Sequence, residues 1–306
     1  MTQAFAAQRR GPRWLCWFGL AVALSLPLAQ AAPQRIITVD WTVAETLLLL
    51  GVTPLGVAQK AAYDDWVAAP ALPAEVVDVG LRMQPNRELL AALQPDLIIL
   101  SSFYNSIRPT LQQIAPVASV ALYQPGEDLW QRLFTATREV AALVGRQRQG
   151  ERLLQRVQQQ LTAIDQCLAS RRPLLVVQFI DARHLRVYGA NSLFHAVLQQ
   201  LHLPNAWQRP TNDWGFSTAT LEELAVYPEA RLLVGEPLPL GVAEQLQHSG
   251  LWPLIPAVRE QRVATVPAVW SYGGLAAASR FARELAQVLP MQVSAECRRE
   301  RYVLAQ

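Results

Sequence analysis

Residues 150–168, GERLLQRVQQQLTAIDQCL, form the longest periodic pattern from which the fold is predicted. Apolar residues recur in it at helical spacing, while arginine and glutamine occupy the other face. At 1.5 Å per residue such a helix runs roughly 28 Å. Arg171-Arg172-Pro173 ends it, because proline cannot continue a helix. The apolar face consists of Leu153, Leu154, Val157, Leu161, Ile164 and Leu168.

Strand and helix patterns alternate before this helix. Residues 36–39 are β-rich, and Thr42-x-x-Glu45 has the form of a capping box that opens an apolar helix, with Gly51 as its stop. Residues 52–58 read as the next strand. This alternation indicates a parallel α/β arrangement.

A short module of helix, proline, acidic residue and strand occurs once in each half of the chain. In the first half Asn86 is a plausible N-cap for a helix at 87–93, and a strand follows at 97–100. In the second half Thr220-x-x-Glu223 is another capping box, before a helix at 221–226 and a strand at 232–234.

We therefore predict an α/β fold of two lobes joined by one long rigid helix. Since no Gly/Ser-rich linker occurs, we expect any hinge to be stiff. The alternative is a single continuous α/β domain with one long helix. The expected boundaries are an N-terminal lobe at 32–145, the connecting helix at 146–171 and a C-terminal lobe at 172–306.

Residues 1–31 have the layout of a cleaved signal peptide. Arg9, Arg10 and Arg13 precede an apolar stretch at 14–28, and Ala29-Gln30-Ala31 is a small-x-small cleavage site. An uncleaved anchor is the alternative, although the stretch is short for a membrane span. The choice between the Sec and twin-arginine routes stays open. We expect a soluble periplasmic protein.

Charge and motifs exclude several functions. The chain has 27 basic and 24 acidic residues, and three of the arginines lie in residues 1–31 without an acid. The remainder is thus neutral, which argues against nucleic acid as a partner. No metal-ligand spacing or nucleophile motif is present, so no enzyme is predicted. A hydrolase using Ser101, Ser102 or Ser217 is the distant alternative.

Cys167 and Cys297 could form one disulfide in an oxidising compartment. Two cysteines that far apart are more often unpaired than paired, so the sequence leaves their pairing open.

Seven local strings are distributed over nearly the whole chain after residue 31. They are Trp41 with Glu45-Thr46-Leu47-Leu48, Val77-Asp78-Val79-Gly80-Leu81-Arg82, Pro85-Asn86-x-Glu88-Leu89-Leu90, Asp181-x-Arg183-His184, Gly189-x-Asn191-Ser192-Leu193-Phe194, Pro204-Asn205-Ala206-Trp207-Gln208 and Val266-Pro267-Ala268-Val269-Trp270-x-Tyr272-Gly273. In content and order they resemble strings of the periplasmic ferric hydroxamate siderophore-binding proteins, which belong to the helical-backbone class of substrate-binding proteins of ABC importers.

The resemblance implies a ligand cleft between the lobes. Arg82 and Tyr104 match the residues that hydrogen-bond the iron-bound hydroxamate oxygens, and Ser217 matches a polar contact. The residues that match the aromatic lining are Trp66, Trp214, Trp270 and Tyr272.

The resemblance also implies docking on a membrane permease. In the wider family, acidic residues on each lobe meet arginines of the permease, and Glu88 and Glu222 hold equivalent places in the two modules. Solvated carboxylates in a first helical turn are the alternative interpretation.

The chemistry of a hydroxamate complex suits these residue types. Six hard oxygens saturate Fe³⁺, so the protein needs no metal ligand and no cofactor, and iron enters only as the siderophore complex. Three hydroxamate charges cancel the charge of the metal, and one guanidinium with one phenol can bond the oxygens of a neutral core. We expect a monomer that delivers this ligand to an inner-membrane ABC permease. The same fold with cobalamin, haem or a catecholate siderophore is the main alternative.

Overall fold

Ten strands among the described residues form two five-stranded sheets. The structure is a computed structural model that describes residues 1–2, 34–123, 126–295 and 297. The described residues from 34 onward belong to one compact unit, to which residues 1–2 do not belong. The predicted signal peptide at 1–31 lies outside the described residues except for residues 1–2.

The first sheet is entirely parallel, in the order β3-β2-β1-β4-β5. Successive residues of its strands face opposite sides, as the pleat requires. Ile36 and Ile99 therefore enter one hydrophobic cluster, while Ile37 and Ile98 enter another. The strands are β1 (Ile36–Thr38), β2 (Gly56–Val57), β3 (Val77–Asp78), β4 (Leu97–Ser101) and β5 (Val117–Val120).

The second sheet is mixed, in the order β10-β9-β6-β7-β8. Its strands are β6 (Leu174–Phe179), β7 (His184–Tyr188), β8 (Phe216–Thr220), β9 (Arg231–Gly235) and β10 (Val263–Val266). Strands β6, β9 and β10 are parallel, whereas β7 runs antiparallel to both β6 and β8. The reversal follows from a short loop in which Asp181 Oδ1 accepts from the amides of Arg183 and His184. A loop this short permits only antiparallel pairing.

Helices cover both sheets and fill the space between them. One cluster of buried residues contains side chains from both sheets and from five of the helices, so the two lobes share a core. No helix in the described part of the chain is both long and apolar enough to cross a membrane. The helices are α1 (Trp41–Leu49), α2 (Lys60–Trp66), α3 (Arg87–Ala92), α4 (Arg108–Leu111), α5 (Leu129–Leu143), α6 (Gln147–Cys167), α7 (Leu193–Gln200), α8 (Val242–Gln247), α9 (Pro256–Arg259) and α10 (Leu275–Val288).

Helix α6 is the long helix that the sequence predicts. All six residues of its predicted apolar face are buried, with exposures of 4% or less. The chain between β5 and β6 contains α5 as well as α6, and the two helices pack against each other. Because two helices link the sheets, the action of α6 as a single rigid connector stays a prediction, as do the expected domain boundaries.

The caps of two helices show where local patterns succeed and fail. Asn86 caps α3 as predicted, because its side chain accepts from the amide of Leu89. The capping box predicted at Thr42 is wrong: Asp40 caps α1 by accepting from the amide of Thr42, two residues later. Glu45 then points away from the N-terminus of its own helix, toward a loop of the other lobe.

Two other elements are shorter or tighter than predicted. Strand β2 contains only Gly56–Val57 of the predicted 52–58, since Pro54 has no amide to donate to a neighbouring strand. The helix predicted at 221–226 is a 3₁₀ helix, Glu222–Val226. Half of its predicted capping box forms, because Glu223 Oε2 accepts from the amide of Thr220 at 2.9 Å.

A disulfide joins Cys167, the last residue of α6, to Cys297. The segment after α10 also pairs with the chain just beyond α6. The amide of Gln292 donates to the carbonyl of Cys167, and the amide of Ala169 donates to the carbonyl of Pro290. The sequence leaves open whether these cysteines pair. In the structure they do, and both are buried although they are 130 positions apart.

Removing this disulfide should lower stability. We expect Cys297→Ala to reduce the free energy of unfolding by about 2–4 kcal/mol, because the link restricts the unfolded chain. Thermal unfolding followed by circular dichroism measures the effect. Cys167→Ala should cause a similar loss, and the double variant should lose no more than either single variant. Additive losses would mean that the two cysteines act separately.

Candidate functional site

The loop after β3 holds Arg82 in place. Asp78 accepts from the amides of Gln59, Lys60 and Gly80 at 3.1, 2.9 and 2.9 Å. Gly80 has a φ of 91°, a backbone conformation that residues with a Cβ rarely adopt. These bonds fix the turn that precedes Arg82, whose Nε donates to Gln59 Oε1 at 3.0 Å.

The guanidinium of Arg82 is held by aromatic stacking. Its Cζ lies 3.9 Å from the ring centroid of Trp41 and 5.6 Å from that of Trp270. Trp41 is itself anchored, since its Nε1 donates to the carbonyl of Ala58 at 2.8 Å. Among the residues that the structure describes, no carboxylate forms a salt bridge with Arg82 within 4 Å. Its positive charge therefore lies against the face of the Trp41 ring and is available to a ligand in the cavity.

Tyr104 lies beside Arg82. Nη1 of Arg82 donates to the phenol oxygen of Tyr104 at 3.5 Å, which leaves the phenol proton available to another acceptor. Burial raises the pKa of Tyr104. The side chain thus stays protonated at neutral pH and can act as a hydrogen-bond donor.

Both residues line a cavity of about 400 Å³. Five of the seven predicted ligand-binding residues lie around it: Arg82, Tyr104, Trp214, Trp270 and Tyr272. Its volume is in the range of ordinary small-molecule sites. The other lining residues, which the sequence analysis did not single out as binding residues, are Asp40, Thr42, Ser101, Phe103, Leu122, Tyr123 and Phe216.

Aromatic rings run continuously from one lobe to the other. Phe103, just after β4, lies 5.1 Å from Trp214, just before β8, measured between ring centroids. Trp214 lies 5.5 Å from Tyr272, which lies 5.2 Å from Trp270. Edge-to-face contacts of this kind stabilise the arrangement. Phe103 and Trp214 remain 51% and 37% exposed, so they lie at the solvent-facing edge of this series of aromatic rings.

A tight loop presents Trp214 and Phe216. Asn212 Oδ1 accepts from the amides of both residues, at 3.0 and 3.2 Å. Gly215 between them has a φ of 75°, and a Cβ there would lie 2.4 Å from the backbone nitrogen of Ser192. Only glycine fits this position, which explains the polar and glycine residues around an exposed tryptophan.

Two predicted residues do not line the cavity. Trp66, the last residue of α2, is partly buried against a cluster that includes Trp41 and Tyr63. Ser217 follows Phe216 on β8, so the pleat turns its side chain to the other face of the sheet. There its Oγ donates to the carbonyl of Pro210 and accepts from Trp207 Nε1. Their roles as ligand contacts stay predictions.

Glu88 and Glu222 are exposed, as their predicted docking role requires. Glu88 lies in the first turn of α3, in the N-terminal lobe. Glu222 begins the 3₁₀ helix after β8, in the C-terminal lobe, and a bond from its own backbone amide lowers the pKa of its carboxyl. Both thus present charge to solvent, and their contact with a permease stays a prediction.

The start of α1 is bonded to the loop that carries Trp270 and Tyr272. Thr42 Oγ1 donates to the carbonyl of Tyr272 at 2.8 Å and accepts from Trp270 Nε1 at 3.2 Å. One turn along the helix, Glu45 Oε1 accepts from the amide of Gly274, directly before α10. These bonds join a helix of the N-terminal lobe to a cavity loop of the C-terminal lobe.

Glu45 is fully buried at this junction. Burial raises its carboxyl pKa from 4.5 to about 8, although the bond from the amide of Gly274 acts in the opposite direction. The carboxyl is therefore mostly protonated at neutral pH, which avoids placing an isolated charge in the core.

Known proteins resemble the chain over most of its length. Residues 36–269 match the family described as "Periplasmic binding protein". The iron(3+)-hydroxamate-binding protein FhuD of Escherichia coli K12 is 36% identical over 255 residues, which cover 83% of this chain and 86% of that protein. The Fe(3+) dicitrate-binding periplasmic protein FecB of the same organism is 30% identical over 278 residues, covering 86% and 87%.

A solved structure agrees with these relatives. The crystal structure of Vibrio cholerae FhuD bound to Fe³⁺–Desferal superposes with a TM-score of 0.77 at 28% sequence identity. The superposition covers 84% of this chain and 99% of that one. The two-lobe α/β architecture predicted from the sequence is thereby confirmed.

Glu45 should make stability depend on pH. The folded state keeps a proton on Glu45 up to about pH 8, whereas the unfolded chain releases it above about pH 4.5. Raising the pH between these values should therefore cost the wild type stability that Glu45→Gln does not lose. Urea unfolding of both proteins at about pH 5 and about pH 8 measures this. A stability difference that does not change with pH would contradict the buried, protonated carboxyl.

Gly273 should be intolerant of a side chain. A Cβ there would lie 2.3 Å from the Cβ of Ala277 and 2.9 Å from Glu45 Oε1. We expect Gly273→Ala to lower the free energy of unfolding by about 1–3 kcal/mol, the usual effect of overpacking. Gly250→Ala is the matched control, since a Cβ there meets nothing within 4 Å. Equal effects of the two substitutions on thermal unfolding would refute the crowding.

Proposed function

This chain belongs to the periplasmic binding protein family, and on that basis we propose that it captures a ferric hydroxamate siderophore for delivery to an ABC permease. The observation that carries the proposal is the pairing of one stacked arginine with one protonated phenol in a cavity whose other walls are largely aromatic. The proposal treats the protein as a carrier and assigns it no covalent chemistry.

The ligand is a preformed cage. Six hydroxamate oxygens saturate Fe³⁺, and their three negative charges cancel those of the metal. The oxygens of such a core are partly negative and accept hydrogen bonds, so the protein must supply donors. Arg82 can donate from the nitrogens that Gln59 does not occupy, and Tyr104 can donate its free proton. Donors to these oxygens are the role that we assign to the two side chains.

The aromatic walls suit the rest of the ligand. The backbone that links the hydroxamates is mostly apolar, and Trp and Tyr rings provide large contact areas with few rotatable bonds. Trp270 and Tyr272 come from the loop before α10. Trp214 comes from the loop before β8, and Phe216 is the first residue of β8. Burial against rings discriminates weakly between shapes, so we expect several hydroxamate siderophores to be accepted.

Export and delivery complete the proposal. The signal peptide predicted at 1–31 would send the protein to the periplasm, and the Cys167–Cys297 disulfide fits an oxidising compartment. The exposed carboxylates of Glu88 and Glu222 would meet arginines of the inner-membrane permease.

A panel of iron chelates tests the substrate class. Binding is measured by quenching of intrinsic tryptophan fluorescence with ferrichrome, ferrioxamine, coprogen, ferric enterobactin and cobalamin in parallel. We expect saturable quenching by the three hydroxamate complexes. Binding of cobalamin or ferric enterobactin without any hydroxamate complex would replace the proposed substrate with one of these.

Arg82→Ala should weaken the binding of ferrichrome by about 1.5–3 kcal/mol, the usual contribution of a charge-assisted hydrogen bond. The dissociation constant should thus rise roughly 10- to 150-fold. Arg87→Ala is the matched control, because the side chain of Arg87 lies at the surface and bonds Gln113. Equal affinities of the Arg82 variant and the wild type would remove Arg82 from the site.

A further inference from the structure

An acidic residue lines the same cavity as Arg82. Asp40 precedes α1 and is only 5% exposed. Its Oδ1 accepts from the amide of Thr42 at 2.8 Å, which holds the carboxylate in position at the cavity wall. Asp40 precedes the helix start that the capping-box pattern predicts at Thr42, so the local sequence does not predict a role for it.

Asp40 and Arg82 act on the same phenol. After burial, the negative charge of Asp40 is the largest influence that raises the pKa of Tyr104, while the charge of Arg82 lowers it. In the described part of the chain no salt bridge within 4 Å joins Asp40 to Arg82. The two charges thus both act on Tyr104 without forming a salt bridge with each other, and all three residues line the same cavity.

The charge balance of the cavity depends on Asp40. Of the described residues that line it, Asp40 and Arg82 alone have charged side chains, so this part of the lining is formally neutral. A second cation, Arg186, lies 5.1 Å from the ring centroid of Phe216, a lining residue. Without Asp40 the site would have one cation in its lining, another beside it and no negative charge in the lining.

We propose that Asp40 is a specificity-determining residue that excludes polyanionic ferric complexes while the cavity admits neutral and cationic ones. The inference rests on the proposed function, because it concerns the selection of ligands at the same site. Electrostatic repulsion grows in proportion to ligand charge, so a complex of charge −3 experiences three times the repulsion of a monoanion. A neutral hydroxamate complex experiences little net force from the carboxylate.

Asp40→Asn isolates the charge. Asparagine caps helices about as well as aspartate, so the substitution keeps the bond to Thr42 and removes only the negative charge. Asp40→Ser, also a good N-cap without charge, repeats the test if the first variant folds poorly. Asp65→Asn is the matched control, because Asp65 is exposed on α2 and does not line the cavity.

The readout is tryptophan quenching with ferrichrome, which is neutral, ferrioxamine B, which carries an ammonium group, and ferric enterobactin, which carries three negative charges. We expect either Asp40 variant to bind ferric enterobactin about tenfold or more tightly than the wild type does. Ferrichrome affinity should change by less than about threefold, and ferrioxamine B should bind more weakly. The control should match the wild type with all three complexes.

Two failures can be told apart. If the wild type binds ferrichrome but the relative affinities for the three complexes are unchanged in both Asp40 variants, the role of Asp40 is refuted and the proposed function stands. If the wild type binds no hydroxamate complex, the proposed function fails, and the variants then show whether Asp40 still disfavours the anionic complex. If neither the wild type nor any variant binds any of the three complexes, both proposals are overturned.

Discussion

The cavity depends on the contact between α1 and the loop before α10. Glu45 and Thr42 reach from the N-terminal lobe and bond the backbone of residues 272–274 in the C-terminal lobe. Burying a carboxyl group costs free energy, and here the cost is limited by retaining the proton and by accepting a bond from an amide next to the start of α10. Because that loop carries Trp270 and Tyr272, the same contact fixes one wall of the cavity relative to Arg82.

Local hydrogen bonds position two of the side chains at the cavity, Arg82 and Trp214. The carboxylate of Asp78 accepts hydrogen bonds from three backbone amides in the turn before Arg82. The side-chain oxygen of Asn212 accepts from two backbone amides, those of Trp214 and Phe216. Side-chain oxygens that bond nearby amides make short loops rigid. Preorganised loops lose little conformational freedom when a ligand binds, which favours affinity. The site therefore combines rigid polar turns with large aromatic surfaces.

Elements with strong periodicity can be predicted from the sequence alone. Contacts between residues that are distant in the chain cannot, because they depend on the whole fold. The apolar face of α6 and the strand β4 follow from local patterns, and five predicted cavity residues follow from family resemblance. The stacking of Arg82 on Trp41 could not be derived locally, since the two residues are 41 positions apart and belong to different elements. Asp40 could not be predicted locally, because the capping-box pattern places the start of α1 at Thr42. In the folded chain Asp40 is the cap, and Glu45 accepts a bond from the other lobe.

The disulfide has a consequence for how the protein matures. It joins the end of α6 to a residue beyond α10, 130 positions along the chain, so it can form only after that segment has been made and packed. The cytosol keeps such thiols reduced. The cross-link can therefore form in an oxidising compartment, whereas a molecule kept in a reducing one would lack it.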